Sequence, residues 1–151
     1  MKLILIEDDD FKKKKILSFI NESFENVEVK TAGAVTSAIE LIKNCLDAEL
    51  ILLDMSLPTY DHTQNTDTGR PQGFGGIDIL RYMEFMEDNR RVIIITQFDT
   101  FTIDGININV HDIEHKLSAE FNESFVGLVQ FDVVSDSWKL DLLTKIKEAL
   151  Q

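Results

Sequence analysis

Five short apolar runs recur along the chain, and they predict the core of its fold. They lie at residues 3–6, 27–29, 50–53, 92–95 and 125–131. Several are continuous stretches of leucine, isoleucine or valine, such as LILI and VIII, without the polar alternation of a strand that faces water on one side. Continuous runs of this kind are typical of strands that are covered on both faces, so the pattern predicts buried parallel β-strands.

Amphipathic stretches separate these runs, and their apolar residues recur at helical spacing. These positions are Ile16, Leu17, Ile20 and Phe24; Val35, Ala38, Ile39, Ile42 and Cys45; Ile77, Leu80, Met83 and Met86; Val110, Ile113, Leu117 and Phe121; and Leu142, Leu143, Ile146 and Leu150. The segment FDTFTIDGINI at 98–108 is predicted to be a loop. Strand–helix units in series predict one α/β domain over residues 1–151, with a five-stranded parallel sheet and helices on both faces.

The acidic net charge of the chain disfavours anionic binding partners. The chain carries 27 acidic and 15 basic residues, a formal net charge of −12, which repels the phosphate backbone of nucleic acids and anionic membranes. Cys45 is the only cysteine, so no internal disulfide can form. The amino-terminal apolar run is too short for a signal peptide or a membrane span. We therefore expect a cytoplasmic protein that binds neither nucleic acid nor membrane.

Acidic and hydroxyl residues follow three of the predicted strands. The first strand is followed by EDDD, Glu7 to Asp10; the third is followed by Asp54, and the fourth ends at Thr96. In open parallel sheets, ligands bind outside the carboxyl ends of the strands, where these residues would meet. Clustered carboxylates favour a hard divalent cation such as Mg²⁺, beside which Asp54 could act as a nucleophile toward a phosphoryl donor. The alternative is that they lie on solvated loops or cap the first helix.

Other ligands that suit such sheets are disfavoured. A flavin phosphate needs a loop of N–H and hydroxyl donors after the first strand, and EDDD would repel it. Neither a GxGxxG motif after a strand nor a GxxxxGK[ST] motif occurs, so these dinucleotide and nucleotide folds are not supported.

Over nearly its whole length the chain resembles a divergent response-regulator receiver domain of the CheY-like superfamily. The motifs that carry the resemblance are LILIEDDDF, ILLDMSLP, VIIIT and the final SDSWKLDLLTKIKEAL. The resemblance implies the flavodoxin-like strand order 2-1-3-4-5. It also implies that Asp54 is the phosphoacceptor and that Thr96 senses the phosphoryl group. Mg²⁺ would be held by the acidic pair Glu7 and Asp8, by Asp54 and by the backbone carbonyl of Ser56.

The resemblance implies a role in signalling. A histidine kinase or phosphotransfer protein would pass a phosphoryl group to Asp54, and a stand-alone domain would then signal to a downstream protein by direct contact. It would not be an enzyme, although slow self-dephosphorylation is possible. One alternative is a pseudo-receiver, an interaction module of the same fold that is not phosphorylated. A metal-dependent phosphohydrolase is disfavoured because Ser56 stands where a second acid would be needed.

The chain departs from the receiver pattern in three places. The lysine expected after the fifth strand is replaced by Val134 or Ser135. Gln97 stands after Thr96, where a small residue is usual and where a larger one could narrow the access to Asp54. The loop between the third strand and the third helix carries an insertion at about 59–75. We consider the hypothesis that Arg70, within this insertion, replaces the missing lysine.

The remaining residues with chemical potential have simpler interpretations. His111 and His115 are four apart on a predicted helix but lack a third ligand, which favours two solvated histidines. The basic run at 12–15 is interpreted as a solvated face, with docking to a kinase as the alternative. Phe131 is expected in the core rather than at an aromatic switch, and Trp138 is expected to pack at the start of the last helix.

Overall fold

The computed structural model of the chain describes residues 1–61, 74–103 and 105–151. The strands, in chain order, are β1 (Lys2–Ile6), β2 (Glu28–Ala32), β3 (Leu50–Leu53), β4 (Arg91–Thr96), β5 (Thr100–Ile103), β6 (Ile106–Asn109) and β7 (Phe125–Gln130). The helices are α1 (Asp10–Ser23), α2 (Val35–Asn44), α3 (Gly75–Phe85), α4 (Val110–Glu120) and α5 (Ser137–Ala149). None of the helices in these described ranges is long and apolar enough to cross a membrane.

The main sheet has five parallel strands in the order β2-β1-β3-β4-β7. This confirms the predicted five-stranded parallel sheet and its order, because β7 is the fifth strand of that sheet along the chain. Successive residues of β1 and β3 enter cores on opposite faces: Ile4 and Ile51 pack on the face of α2 and α3, whereas Leu5 and Leu52 pack on the face of α1 and α5. The continuous apolar runs therefore follow from burial on both faces.

The edge strand β2 differs from its prediction. The apolar pattern placed a strand at 27–29, whereas β2 extends to Ala32 and includes the exposed residues Lys30 and Thr31. An edge strand keeps its backbone pairing while part of its surface faces water, so apolar residues alone do not mark its end.

The segment at 98–108 is not the predicted loop. It contains an antiparallel hairpin in which β5 pairs with β6 and Phe101 lies opposite Ile108. Phe101 is buried in the core, and Gly105 adopts the left-handed backbone that a tight turn requires, with φ of 77°. An Asp-Gly pair between alternating apolar residues is a hairpin signal, and this signal was missed because the run is short and rich in polar residues.

The carboxyl ends of three neighbouring strands bring the candidate residues to one rim. Ile6 of β1 is in register with Leu53 of β3, and the Asp54 N–H donates to the Ile6 carbonyl at 2.9 Å. β4 lies next to β3 and ends at Thr96. The sheet thus places the residues that follow β1, β3 and β4 on the same edge.

Candidate functional site

Three carboxylates meet at this rim. Glu7, Asp8 and Asp54 each offer an oxygen, and these oxygens all lie within 4.8 Å of one another. Glu7 and Asp54 are 2% and 6% exposed, and Asp8 is half-buried. Hard, oxygen-ligating divalent cations suit such a donor set, since Mg²⁺ takes carboxylate and carbonyl oxygens and keeps several waters. Elsewhere in the described ranges, no other group of three histidine, cysteine or acidic side chains has a metal-binding arrangement.

The next two acids of the EDDD run have other roles. Asp9 is the N-cap of α1: its side chain accepts a hydrogen bond from the Lys12 N–H at 2.9 Å. The Asp9 N–H in turn donates to Glu7 Oε2 at 3.1 Å, which fixes the Glu7 carboxylate at the rim. Asp10 is exposed and pairs with Lys13, with 3.4 Å between the charged atoms. The capping alternative therefore applies to Asp9, whereas Glu7 and Asp8 belong to the cluster.

A buried lysine completes the site, and sequence reasoning missed it. Lys12 is 2% exposed, and its Nζ lies 2.6 Å from Glu7 Oε1, 3.0 Å from Asp54 Oδ1 and 2.7 Å from the Ile95 carbonyl oxygen. The interpretation of residues 12–15 as a solvated face is wrong for Lys12, although Lys14 and Lys15 are exposed.

One sequence signal could have revealed this burial. Lys12 stands four and eight residues before Ile16 and Ile20, which are the other buried residues of α1. It therefore lies on the apolar stripe of the helix rather than on its charged face.

Burial governs the protonation of Glu7. Removal from water raises the pKa of its carboxyl group to about 8 from an ordinary value of 4.5. The Lys12 ammonium opposes this rise, and the negative charge of Asp54 adds to it. In the absence of metal, Glu7 therefore holds its proton at a higher pH than an exposed glutamate does, which relieves part of the repulsion in the cluster.

This shift predicts a pH dependence of stability in metal-free buffer. Between pH values of about 4.5 and 8, the folded chain holds a proton on Glu7 that the unfolded chain releases. The free energy of unfolding should therefore fall as the pH rises through this window. Urea denaturation with a chelator present should show a smaller fall for Glu7→Gln, whose amide does not titrate. The exposed Glu25→Gln is the control and should follow the wild type. Parallel pH curves for wild type and Glu7→Gln would contradict the shift.

Thr96 and Ser56 lie at or just after the ends of two neighbouring strands. Thr96 is fully buried at the end of β4, and its Oγ1 accepts a hydrogen bond from the Phe98 N–H at 3.2 Å. Ser56 is half-buried in the turn that directly follows β3 and Asp54. Gln97, the larger residue that follows Thr96, is exposed.

The position of the expected lysine is taken by an uncharged residue. Val134 is 92% exposed and Ser135 is also exposed, in the turn between β7 and α5. Lys139, the first lysine after them, pairs with Asp136 at 3.6 Å and lies near the Phe19 and Trp138 rings. Residues 62–73 of the predicted insertion, which include Arg70, lie outside the described residues.

The other singled-out side chains fit their simpler interpretations. His111 and His115 are both exposed on α4. Phe131 and Trp138 are each 3% exposed, and their ring centroids lie 4.9 Å apart in the core beneath α5. The prediction that Phe131 belongs to the core is therefore confirmed, and Trp138 packs at the start of α5 as predicted.

Known proteins include a relative of this chain by sequence. No protein-family model matches the chain. It is 32% identical over 148 residues to the Detocs response regulatory protein DtcB of Enterobacter cloacae, an alignment that covers 96% of this chain and 98% of that protein.

Two solved structures show the same fold. One is the beryllofluoride-activated amino-terminal receiver domain of RstA from Klebsiella pneumoniae, with 20% identity, a TM-score of 0.65 and coverage of 100% of this chain and 99% of that one. The other is a chain of the CheX–CheY complex with beryllofluoride and magnesium from Borrelia burgdorferi, with 16% identity, a TM-score of 0.66 and coverage of 100% and 90%.

Proposed function

Since the chain belongs to the response-regulator receiver family, we propose that it is a two-component signalling receiver that takes up a phosphoryl group on Asp54. The observation that carries the proposal is the convergence of Glu7, Asp8 and Asp54 within 4.8 Å at the carboxyl edge of the sheet. Thr96, which carries a hydroxyl group, is the last residue of the neighbouring strand β4. The nucleophile, the candidate metal ligands and the hydroxyl donor therefore lie at the ends of adjacent strands.

The proposed reaction is a transfer between two nucleophiles. A carboxylate oxygen of Asp54 attacks the phosphorus of a phosphohistidine on a histidine kinase or phosphotransfer protein. The new O–P bond forms as the N–P bond breaks, and the histidine keeps the electron pair of the broken bond. The product is an acyl phosphate, which water can hydrolyse slowly. The chain would then act as an acceptor rather than as an enzyme with multiple turnover.

The donor set fits magnesium. Asp8, Asp54 and the Ser56 carbonyl would hold the ion, with Glu7 beside them, and their oxygen chemistry is the kind that Mg²⁺ selects. When bound, the ion would neutralise negative charge on the phosphoryl group during transfer. The CheY complex in the comparison contains beryllofluoride and magnesium, which supports the choice of both as probes.

The proposed output is contact with another protein. The net charge of −12 argues against direct binding to nucleic acid or to anionic membranes. Thr96 would turn its hydroxyl toward the phosphoryl group and donate a hydrogen bond to it, which would alter the hydrogen bond that its Oγ1 now accepts from the Phe98 N–H. This change in a buried hydrogen bond next to the β5–β6 hairpin is a local event that can bias the surface a partner contacts.

A pseudo-receiver is the second candidate, and two observations favour it. No lysine stands at Val134 or Ser135, and Asp54 is already paired with Lys12 at 3.0 Å. In this alternative the chain keeps the fold as an interaction module and is not phosphorylated.

Beryllofluoride separates the two candidates. With Mg²⁺ present, we expect it to raise the melting temperature of the wild type, because a ligand that binds only the folded state stabilises it. Asp54→Asn should show no such rise, since it lacks the carboxylate oxygen that beryllium would bind. Asp10→Asn changes the same charge at an exposed position and should respond like the wild type. The same melting temperature with and without beryllofluoride in the wild type would favour the pseudo-receiver.

A further inference from the structure

Lys12 places a fixed cation inside the candidate metal site. Its ammonium group has three N–H donors, and three acceptors surround it: Glu7 Oε1, Asp54 Oδ1 and the Ile95 carbonyl oxygen. We propose that Lys12 is a built-in counter-ion that holds the carboxylates together without metal and that a divalent cation must compete with. The inference rests on the proposed function of the Glu7–Asp8–Asp54 site.

The helix fixes the lysine in this position. Lys12 lies on the buried stripe of α1 with Ile16 and Ile20, which pack against the sheet. Asp9 caps the same helix turn by accepting from the Lys12 N–H. The backbone of Lys12 is therefore anchored next to the rim, and its side chain reaches the ends of β1, β3 and β4. Such an ammonium is a constant part of the site and not an occasional surface ion pair.

Charge explains why a cation is needed there. Glu7 and Asp54 are almost fully buried, and ionising both carboxyl groups without a counter-ion would place two unhydrated negative charges side by side. In receivers this cluster is expected to recruit Mg²⁺; here Lys12 already supplies positive charge between two of its members. Within the described part of the chain, Lys12 is the basic residue that contacts Asp54. The chain thus has its site cation on α1, although it lacks one after β7.

Competition follows from the shared carboxylates. The ammonium group contacts Glu7 Oε1 and Asp54 Oδ1, and both residues belong to the cluster of candidate ligands. A divalent ion bound among these oxygens would meet a like charge at close range, so its affinity should be lower with Lys12 than without it. Removing the ammonium should therefore tighten metal binding, whereas losing an ordinary structural ion pair would not.

The test compares Lys12→Met with Lys14→Met. Methionine keeps an unbranched apolar side chain on the buried stripe, and Lys14 is an exposed lysine on the same helix, so both variants lose one positive charge. Isothermal titration of the full chain with MgCl₂, at constant ionic strength set with NaCl, gives the dissociation constant. We expect that of Lys12→Met to fall at least ~10-fold, which corresponds to about 1.4 kcal/mol, and that of Lys14→Met to stay near the wild-type value.

Thermal stability supplies the second readout. Without metal, Lys12→Met should melt at a lower temperature than the wild type. Mg²⁺ should then raise the melting temperature of Lys12→Met by more than it raises that of the wild type. If Lys12→Met does not fold in metal-free buffer, Lys12→Gln takes its place in both measurements, since its amide can still donate to the Ile95 carbonyl.

Two results would overturn the inference. One is an unchanged or weaker affinity for Mg²⁺ in the Lys12 variant, and the other is a loss of stability that Mg²⁺ does not recover. Beryllofluoride binding by the wild type separates this failure from that of the proposed function. If the wild type binds beryllofluoride and the Lys12 variant shows either result, only the counter-ion role is lost. If no variant binds Mg²⁺, the counter-ion role also fails, and the wild-type beryllofluoride response alone decides the proposed function.

Discussion

Replacing Gly76 by alanine is expected to lower the free energy of unfolding by about 2 kcal/mol, within the range usual for overpacking. A Cβ at this position would lie 2.6 Å from the Asp54 carbonyl oxygen and 2.8 Å from the Met55 Cα. Both are backbone atoms, so no rotation of a side chain can relieve the contact. The gain in helix propensity from glycine to alanine, under ~1 kcal/mol at a helix end, cannot offset it.

The same change should impair the chemistry of the site. The Gly76 N–H donates to the Met55 carbonyl at 3.1 Å, so the first turn of α3 rests directly on the backbone that carries Asp54. Pushing this backbone away displaces the Asp54 carboxylate relative to Glu7 and Asp8. We expect phosphoryl uptake to slow by roughly tenfold or more, because such reactions depend on sub-ångström placement of the nucleophile.

Gly33→Ala is the matched control for this prediction. Gly33 also lies at the rim, but an added Cβ would have its nearest neighbours at 3.6 and 3.8 Å, which are ordinary contact distances. Its stability, measured by urea denaturation, should be equal to or slightly above that of the wild type. If Gly76→Ala were as stable as Gly33→Ala and as fast in phosphoryl uptake, the close packing of α3 on the Asp54 backbone would be refuted.

The sheet could be predicted because its strands are physically distinctive. Runs such as LILI and LILL are buried on both faces of a parallel sheet, and amphipathic helices between them leave few alternative topologies. The β5–β6 hairpin was missed for the opposite reason. Its strands are four residues long, and β6 is largely exposed, so the apolar pattern carries little information there.

The candidate site was predictable in outline and not in detail. The rule that chemistry lies at the carboxyl ends of parallel strands pointed to Asp54 and the EDDD run. The different roles of the acids in that run depend on where α1 begins, because this makes Asp9 the N-cap of the helix. The burial of Lys12 depends on tertiary packing and was not predicted, because a lysine in a run of four normally indicates a solvated face. Only the spacing of Lys12 to Ile16 and Ile20 indicated that it lies on the buried side of α1.

Replacing Asp54 by asparagine is expected to abolish phosphoryl uptake while the fold is kept. The asparagine carbonyl can still accept a hydrogen bond from Lys12. The buried ammonium also keeps its contacts with Glu7 and the Ile95 carbonyl, so the fold should be retained. The amide is not a nucleophile toward phosphorus, so no acyl phosphate can form. Asp10→Asn removes an exposed acid from the same rim segment and should take up phosphoryl groups as the wild type does.

The most direct test of the central claim is mass spectrometry of the full chain after incubation with Mg²⁺ and a small-molecule phosphodonor. We predict one added phosphoryl group on the wild type, located on Asp54 in the peptide map, and none on Asp54→Asn. A wild-type chain that gains no phosphoryl group, or gains one that persists in Asp54→Asn, would contradict the assignment of Asp54 as the phosphoacceptor.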